Sequence, residues 1–181
     1  WREVIAWSGV KNVWNMYGPT ETTVWSTVYQ LNESNQDVLI GKPIANTKVH
    51  ILDKHNKLLP VGVTGELYIG GAGVTNGYLN RNKLTNERFV NLSINNEEEE
   101  IYYKTGDLVN YKNSGNLNYI NRIDNQVKVR GFRIELGEIE NTILRVNGIE
   151  HVVVRFSADK KLIAYYTESK NVHNLDIKSQ I

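Results

Sequence analysis

Asn15-Met16-Tyr17-Gly18-Pro19-Thr20-Glu21-Thr22-Thr23 is the stretch on which the reading of this chain depends. An aromatic residue, Tyr17, comes first, then a Gly-Pro pair, then a hydroxyl at Thr20 and at once a carboxylate at Glu21. Pro fixes φ and Gly admits tight or left-handed backbone, so Gly18-Pro19 makes a rigid bend. A planar base can stack on the face of Tyr17. Phosphate oxygens can take hydrogen bonds from Thr20 and nearby backbone N–H groups, and Glu21 can hold the hard cation that accompanies phosphates. Taken alone, Tyr-Gly-Pro-Thr is equally an ordinary surface turn, and the surrounding chain has to decide.

Working outward, residues 1–14 read as a short helix followed by a strand, with Val10, Val13 and Trp14 after Gly9. A buried strand ending at Gly18-Pro19 puts the polar residues at a strand's carboxyl end, where open α/β sheets place their ligands. Thr22 to Tyr29 is rich in β-branched and aromatic residues and predicts a strand, and Asn32 to Asp37 a polar loop. From Val38 to about Asn121 the pattern is all-β. Val49 to Asp53, Glu66 to Ile69, Ile101 to Tyr103 and Leu117 to Ile120 are short strands between Gly-containing turns, which suits a small distorted barrel. Leu84 to Phe89 predicts one helical turn. Asn91 to Glu100 reads as a solvated loop with the acidic run Glu97 to Glu100 at its tip.

After Ile123 the pattern changes. Gln126 to Ile134 alternates polar and apolar about Gly131, as a hairpin does, and Glu135 to Asn147 carries Ile139, Ile143, Leu144 and Val146 at helical spacing before Gly148. Val152 to Phe156 and Leu162 to Tyr166 make a further strand pair. The expected fold class is α+β: the edge of an α/β sheet leading into a small distorted β-barrel, then a small α+β lobe of hairpin, helix and two strands from Asp124.

The 181 residues carry a formal net charge of +1, with 40% apolar and 23% charged side chains. No global field recruits nucleic acid or an anionic membrane, and no apolar run approaches the roughly 20 residues that span a bilayer. The absence of Cys excludes disulfides, thiolate metal sites and a Cys nucleophile, and fits a reducing cytoplasm. Trp1 opens the chain without a Met or a signal-peptide layout, so it reads as a piece of a longer protein.

Three further segments bear on chemistry. In Tyr103-Lys104-Thr105-Gly106-Asp107, a carboxylate placed after a strand can accept both hydroxyls of a ribose, or simply cap its own turn. Gly71, Gly73 and Gly77 give a G-x-G-x-x-x-G pattern, but no amphipathic helix of useful length follows, so they read as shaping a barrel corner rather than binding phosphate. Lys128, Arg130 and Arg133 flank Gly131 in the predicted hairpin, and Arg122-Ile123-Asp124 precedes it. His50, His55, His151 and His173 show no metal or catalytic spacing and read as surface residues.

Together these segments closely resemble the adenylation domains of nonribosomal peptide synthetases, within the adenylate-forming (AMP-binding) superfamily. The resemblance covers nearly the whole chain, with Asn76 where the family usually has Arg and Asn82 where it often has Pro. It implies that 1–123 is the C-terminal portion of the large lobe and 124–181 the start of the small mobile lobe. It implies ATP/AMP contacts from Asn15, Tyr17, Gly18, Thr20, Asp107 and Arg122, Mg2+ at Glu21, and a hinge at Asp124. Acyl-CoA synthetases and luciferases usually carry Lys at that hinge. The implied catalytic positions are Thr20, Glu21 and Lys128, the last bordering the channel for a carrier's phosphopantetheine thiol. Met16, Val24 and Trp25 match pocket positions. A stiff Trp25 should fill space and favour a small amino acid, glycine leading, with alanine, cysteine or threonine behind.

The implied partners are a peptidyl carrier domain and neighbouring synthetase domains. A pyrophosphate-binding Ser/Thr–Lys loop would lie before Trp1 and an adenylation Lys after Ile181, so the 181 residues alone should form no measurable adenylate. Two alternatives stay open at this level: an acyl- or aryl-CoA ligase of the same superfamily, and a non-catalytic nucleotide-binding or scaffolding remnant.

Overall fold

The computed structural model describes residues 12–32, 37–95, 98–124, 126–129, 132–157, 159 and 161–169, and of Lys128 and Arg133 only the backbone. The chain divides into two compact units, 1–123 and 124–181. In the first, the alternating residues of β1 (Val13–Tyr17) pair antiparallel with β2 (Thr27–Leu31), Tyr17 opposite Thr27, and β2 pairs in turn with the short β3 (Lys42–Pro43). β1 is half-buried rather than buried, with Trp14 on its open face. The predicted helix before it lies outside the described residues.

The strand expected over Thr22 to Tyr29 begins only at Thr27. Thr20–Thr22 form a single 3-10 turn, and Thr23 and Val24 follow at φ of 60° and 69°. Left-handed backbone at two consecutive β-branched residues is uncommon and is held by surrounding contacts, which overrides their strand preference.

The second layer is a curled five-stranded sheet in the order β4 (Thr47–Leu52), β5 (Gly65–Gly71), β7 (Glu100–Tyr111), β6 (Phe89–Leu92), with β8 (Leu117–Arg122) also on β7. A seven-residue helix, α1 (Asn82–Arg88), leads into β6. Successive residues of a strand face opposite sides, and β5 is buried on both. Leu67 and Ile69 join Ile40, Val49, Ile51, Val109 and Leu117 on one side, while Tyr68 joins Leu52, Ile94 and Tyr102 on the other. The expected loop over Asn91 to Glu100 is therefore only partly a loop: Phe89–Leu92 pairs with β7, and Ile94 is drawn into the second cluster. Glu98 and Glu99 are exposed and Glu97 lies outside the described residues, whereas Glu100 is in β7 and pairs with Lys48 at 2.6 Å.

β7 positions the site. Its pairing to β5 runs from Glu66 opposite Leu108 to Tyr68 opposite Lys104, so β7 carries extra residues around Thr105, Gly106 and Asp107. Gly106 takes φ of 74° there, Thr105 Oγ1 donates to Leu67 O at 2.8 Å and Asp107 N donates back to Thr105 Oγ1 at 3.0 Å. Such a bulge bends the strand and re-aims a side chain. Asp107 thus sits within a continuous strand rather than after one, because the ladder resumes opposite β8 at Asp107 and Arg122.

The second unit is a hairpin of β9 (Gln126–Val129) and β10 (Phe132–Glu135), a helix α2 (Leu136–Ile143), and a hairpin of β11 (Ile149–Phe156) and β12 (Leu162–Glu168). Leu136, Ile143, Val146, Ile149 and Val154 form its core. The helix is shorter than its periodicity implies, ending before Leu144, and Gly148, at φ of 95°, serves the turn into β11 rather than the helix end. No helix among the described residues is long and apolar enough to cross a membrane.

Candidate functional site

Gly18 and Pro19 lead out of β1 into the 3-10 turn, closed by Thr22 N to Pro19 O at 3.1 Å and Thr23 N to Thr20 O at 3.1 Å. Ser26 N donates to Tyr17 O at 2.8 Å where the loop re-enters the sheet. Inside the loop, the buried hydroxyls of Thr22 and Ser26 lie 2.6 Å apart. The glycine-rich segment braces the outside: Thr23 Oγ1 donates to Gly73 O at 2.7 Å, and Thr75 N donates to Glu21 O at 2.9 Å. A Cβ on Gly73 would come within 2.9 Å of Thr22 O, so that close approach requires glycine. The result separates two neighbouring polar groups. Thr20 is exposed, whereas Glu21 is buried with Oε1 accepting the Tyr78 hydroxyl at 2.6 Å.

The bulge of β7 brings Asp107 to the same loop. Its Oδ2 accepts the Tyr17 hydroxyl, its Oδ1 accepts Arg122 Nη1 at 2.8 Å, and Arg122 Nη2 reaches Thr105 O at 3.1 Å. Tyr17 and Asp107 are 90 residues apart in sequence. Burial first, and then the neighbouring Asp107 carboxylate, push the Tyr17 phenol well above its ordinary 10.0, so it remains a neutral donor. A raised folded-state pKa gives stability that is complete below about pH 10 and is lost as pH rises toward the folded value. Tyr68 and Tyr111 are raised by burial in the same sense. Alkaline unfolding of the parent is therefore expected to begin as free tyrosine ionises and to be shallower in Tyr17→Phe, read by tyrosinate absorbance against circular dichroism. Equal slopes would contradict it.

A turn that exposes a hydroxyl, holds a carboxylate and touches an Asp–Arg pair is suited to a nucleotide. The family model described as AMP-binding enzyme matches residues 1–79. Malpibaldin synthetase of Mortierella alpina is 47% identical over 170 residues, 90% of this chain and 3% of its own length. The chain belongs to the adenylation domains of the AMP-binding family. Solved structures agree at the level of the fold. PA1221, an NRPS protein containing adenylation and PCP domains, superposes with a TM-score of 0.80 at 30% identity, over 98% of this chain and 37% of that one. Holo-AB3403, a four-domain nonribosomal peptide synthetase bound to AMP and glycine, gives 0.59 at 42% identity, over 93% and 13%. The chain thus spans a small part of each relative.

Against that family, the remaining predicted positions divide. Asn15 is engaged in the fold, its Nδ2 donating to Leu39 O at 2.6 Å. Met16 is half-buried in β1. Val24 and Trp25 are 62% and 56% exposed, so Trp25 does not fill an enclosed space among the described residues: the left-handed turn at Thr23 and Val24 carries it outward. Asp124 begins the second unit and its Oδ1 accepts Gln126 N at 3.3 Å. The Lys128 backbone pairs with Arg133, while its side chain, together with Arg130 and Gly131, lies outside the described residues. Of the histidines expected at the surface, His55 and His151 are exposed and His50 is half-buried against Tyr102, ring centroids 5.4 Å apart. His173 lies outside the described residues.

For Mg2+, no group of three His, Cys, Asp or Glu gathers among the described residues. The oxygen donors of Glu21 and Thr20 nonetheless suit an ion that keeps most of its waters and takes the rest of its shell from phosphate oxygens. Sequence reading did not single out Tyr78, Tyr103, Thr105 or Ser26. Their signal, hydroxyl residues in or next to strands or beside a glycine, is too common to select them without coordinates.

Proposed function

We propose that this chain is the C-terminal portion of the large lobe (1–123) and the start of the small lobe (124–181) of an amino-acid-activating adenylation domain in nonribosomal peptide synthesis. The substrate carboxylate oxygen attacks the α-phosphorus of ATP, the bond to the bridging oxygen breaks, and pyrophosphate leaves from an acyl-adenylate. A carrier domain's phosphopantetheine thiol then attacks the acyl carbon, loses its proton and displaces AMP. Catalysis of this kind comes from positioning and charge neutralisation. The meeting of Tyr17 and Arg122 on the Asp107 carboxylate, beside the Thr20–Glu21 turn, is the observation that carries this reading.

In this reading the Tyr17 ring stacks on adenine, Asp107 accepts the ribose hydroxyls, and Arg122 faces ribose and phosphate. Thr20 and the Gly18 backbone bind phosphate, and Asn15 holds β1 to Leu39 beneath them. Glu21, with Thr20, holds Mg2+, which neutralises phosphate charge when bound. Asp124 is the hinge, and Lys128 borders the thiol's path. Met16, Val24 and Trp25 belong to the amino-acid pocket. The neighbour solved with AMP and glycine supports a small substrate, and the neighbour containing adenylation and PCP domains supports a carrier partner. The residues present suit a cytoplasmic enzyme without cysteine chemistry.

ATP–pyrophosphate exchange by the intact protein over a panel of acids tests this. Exchange strongest with glycine or another small amino acid is expected, and none from the isolated 181 residues. A strongest response to a bulky aromatic amino acid would refute the pocket reading. A response only to aryl or fatty acids would refute the amino-acid reading, and exchange by the isolated chain at the intact protein's rate would refute its incompleteness.

A further inference from the structure

The glycine-rich stretch delivers one phenol to the proposed metal carboxylate. After Gly71 and Gly73 the chain reaches Gly77 at φ of 114°, where a Cβ would fall 2.3 Å from Thr85 Cγ2. That backbone lets Tyr78 N donate to Thr85 Oγ1 at 2.9 Å, fixing the start of the tyrosine on α1. The ring then stands edge-on to Phe89, centroids 5.5 Å apart at 76°, and Phe89 packs on Tyr103 at 5.2 Å. The Tyr78 hydroxyl ends 2.6 Å from Glu21 Oε1 and 3.5 Å from the hydroxyl of the fully buried Tyr103. Backbone, ring and hydroxyl are thus each held by a different element, α1, β6 and β7, while a backbone bond from Thr75 N to Glu21 O ties the same segment to the same residue.

We propose that Tyr78 is a positioning residue for Glu21: its hydroxyl sets the carboxylate's orientation so that Glu21 can take a nucleotide-bound divalent cation. This rests on the adenylation reading and deepens it. A carboxylate on a mobile side chain must be ordered each time a cation arrives, whereas one already hydrogen-bonded by a fixed phenol is ordered in advance. Partners that orient metal ligands in this way typically matter about 10-fold or more for metal affinity.

The test is Mn2+ uptake by the intact protein saturated with a non-hydrolysable ATP analogue, followed by electron paramagnetic resonance, with the analogue's metal-free affinity measured separately. Tyr78→Phe keeps the ring against Phe89 and is expected to weaken Mn2+ binding about 10-fold while leaving metal-free nucleotide affinity unchanged. Exchange lost in the variant should return at high Mg2+. Thr85→Val loosens the same tyrosine from behind and should weaken Mn2+ binding about threefold, which decides the matter if Tyr78→Phe does not fold. Unchanged Mn2+ affinity in the folded variants overturns the proposal, as does a metal-free nucleotide affinity that falls equally. A parent protein that neither binds Mn2+ through the nucleotide nor exchanges pyrophosphate overturns the adenylation reading itself, an outcome distinct from a parent that does both and a variant that matches it.

Discussion

Asp107→Ala is expected to abolish useful nucleotide binding and to destabilise the first unit by about 3 kcal/mol. The two effects have separate origins. The stability loss comes from Arg122, whose side chain is 17% exposed and would remain beside Thr105 O with the charge it was paired to removed. Breaking such a pair from one side removes the attraction while the remaining charge keeps its desolvation cost, which is worse than replacing both partners. The binding loss follows from the proposed role. Two ribose hydroxyls on a carboxylate make charge-assisted hydrogen bonds, and losing both weakens binding by about 100-fold or more.

Asp107→Asn separates these effects, since it preserves shape and a hydrogen-bond acceptor but not the charge. Tyr17→Phe adds a third arm: it keeps the stacking ring but removes the phenol from Oδ2, so AMP affinity should be at least that of the parent. Calorimetric AMP binding and denaturant unfolding read all three. Asp107→Ala binding AMP like the parent would refute the ribose assignment. A parent-like midpoint would refute the energetic account of the pair.

Why the rest of the site was hard to read from sequence follows from the same residues. The Tyr17 to Glu21 run was visible because an aromatic ring, a hydroxyl and a carboxylate, gathered about a Gly-Pro bend, each suited one part of a nucleotide. Asp107 was visible as a candidate, yet it appeared to follow a strand, because Thr-Gly-Asp has turn composition and only the resumed pairing with Arg122 shows a bulge instead. Thr22 to Tyr29 misled in the opposite direction. Its β-branched residues favour a strand, but bonds from Thr23 to Gly73 and from Ser26 to Tyr17 hold two of them left-handed. The size of Trp25 was legible, whereas its direction depends on that same turn. The Tyr78–Glu21 contact crosses 57 residues and leaves no periodic trace. The short strands were legible through alternation, which is local. Contacts between loops are not.

Gly18→Ala should be the most damaging small substitution in the loop. A Cβ at position 18 would lie 2.5 Å from Val24 O, 2.7 Å from Ser26 N and 2.8 Å from Trp25 Cα. All three are backbone atoms, so no rotamer change relieves the overlap. The crossing is also anchored on both sides, by Ser26 N to Tyr17 O at 2.8 Å and by Thr27 Oγ1 to Ile40 O at 2.5 Å. One methyl group therefore has to separate two fixed strands of backbone, at about 3 kcal/mol, and the separation moves Thr20 and Glu21 with it. Gly62→Ala is the matched control. Its φ of 87° strains any side chain, but nothing lies within 4 Å of the added Cβ, so the cost is the backbone term alone, about 1 kcal/mol. Denaturation midpoints of the two variants in the intact protein, with AMP affinity alongside, should therefore diverge. Gly18→Ala loses both stability and binding, and Gly62→Ala loses a little stability and keeps its binding. Similar midpoints for the two would mean that the loop yields where the geometry says it cannot, and that the turn carrying Thr20 and Glu21 is less rigid than its hydrogen bonds imply.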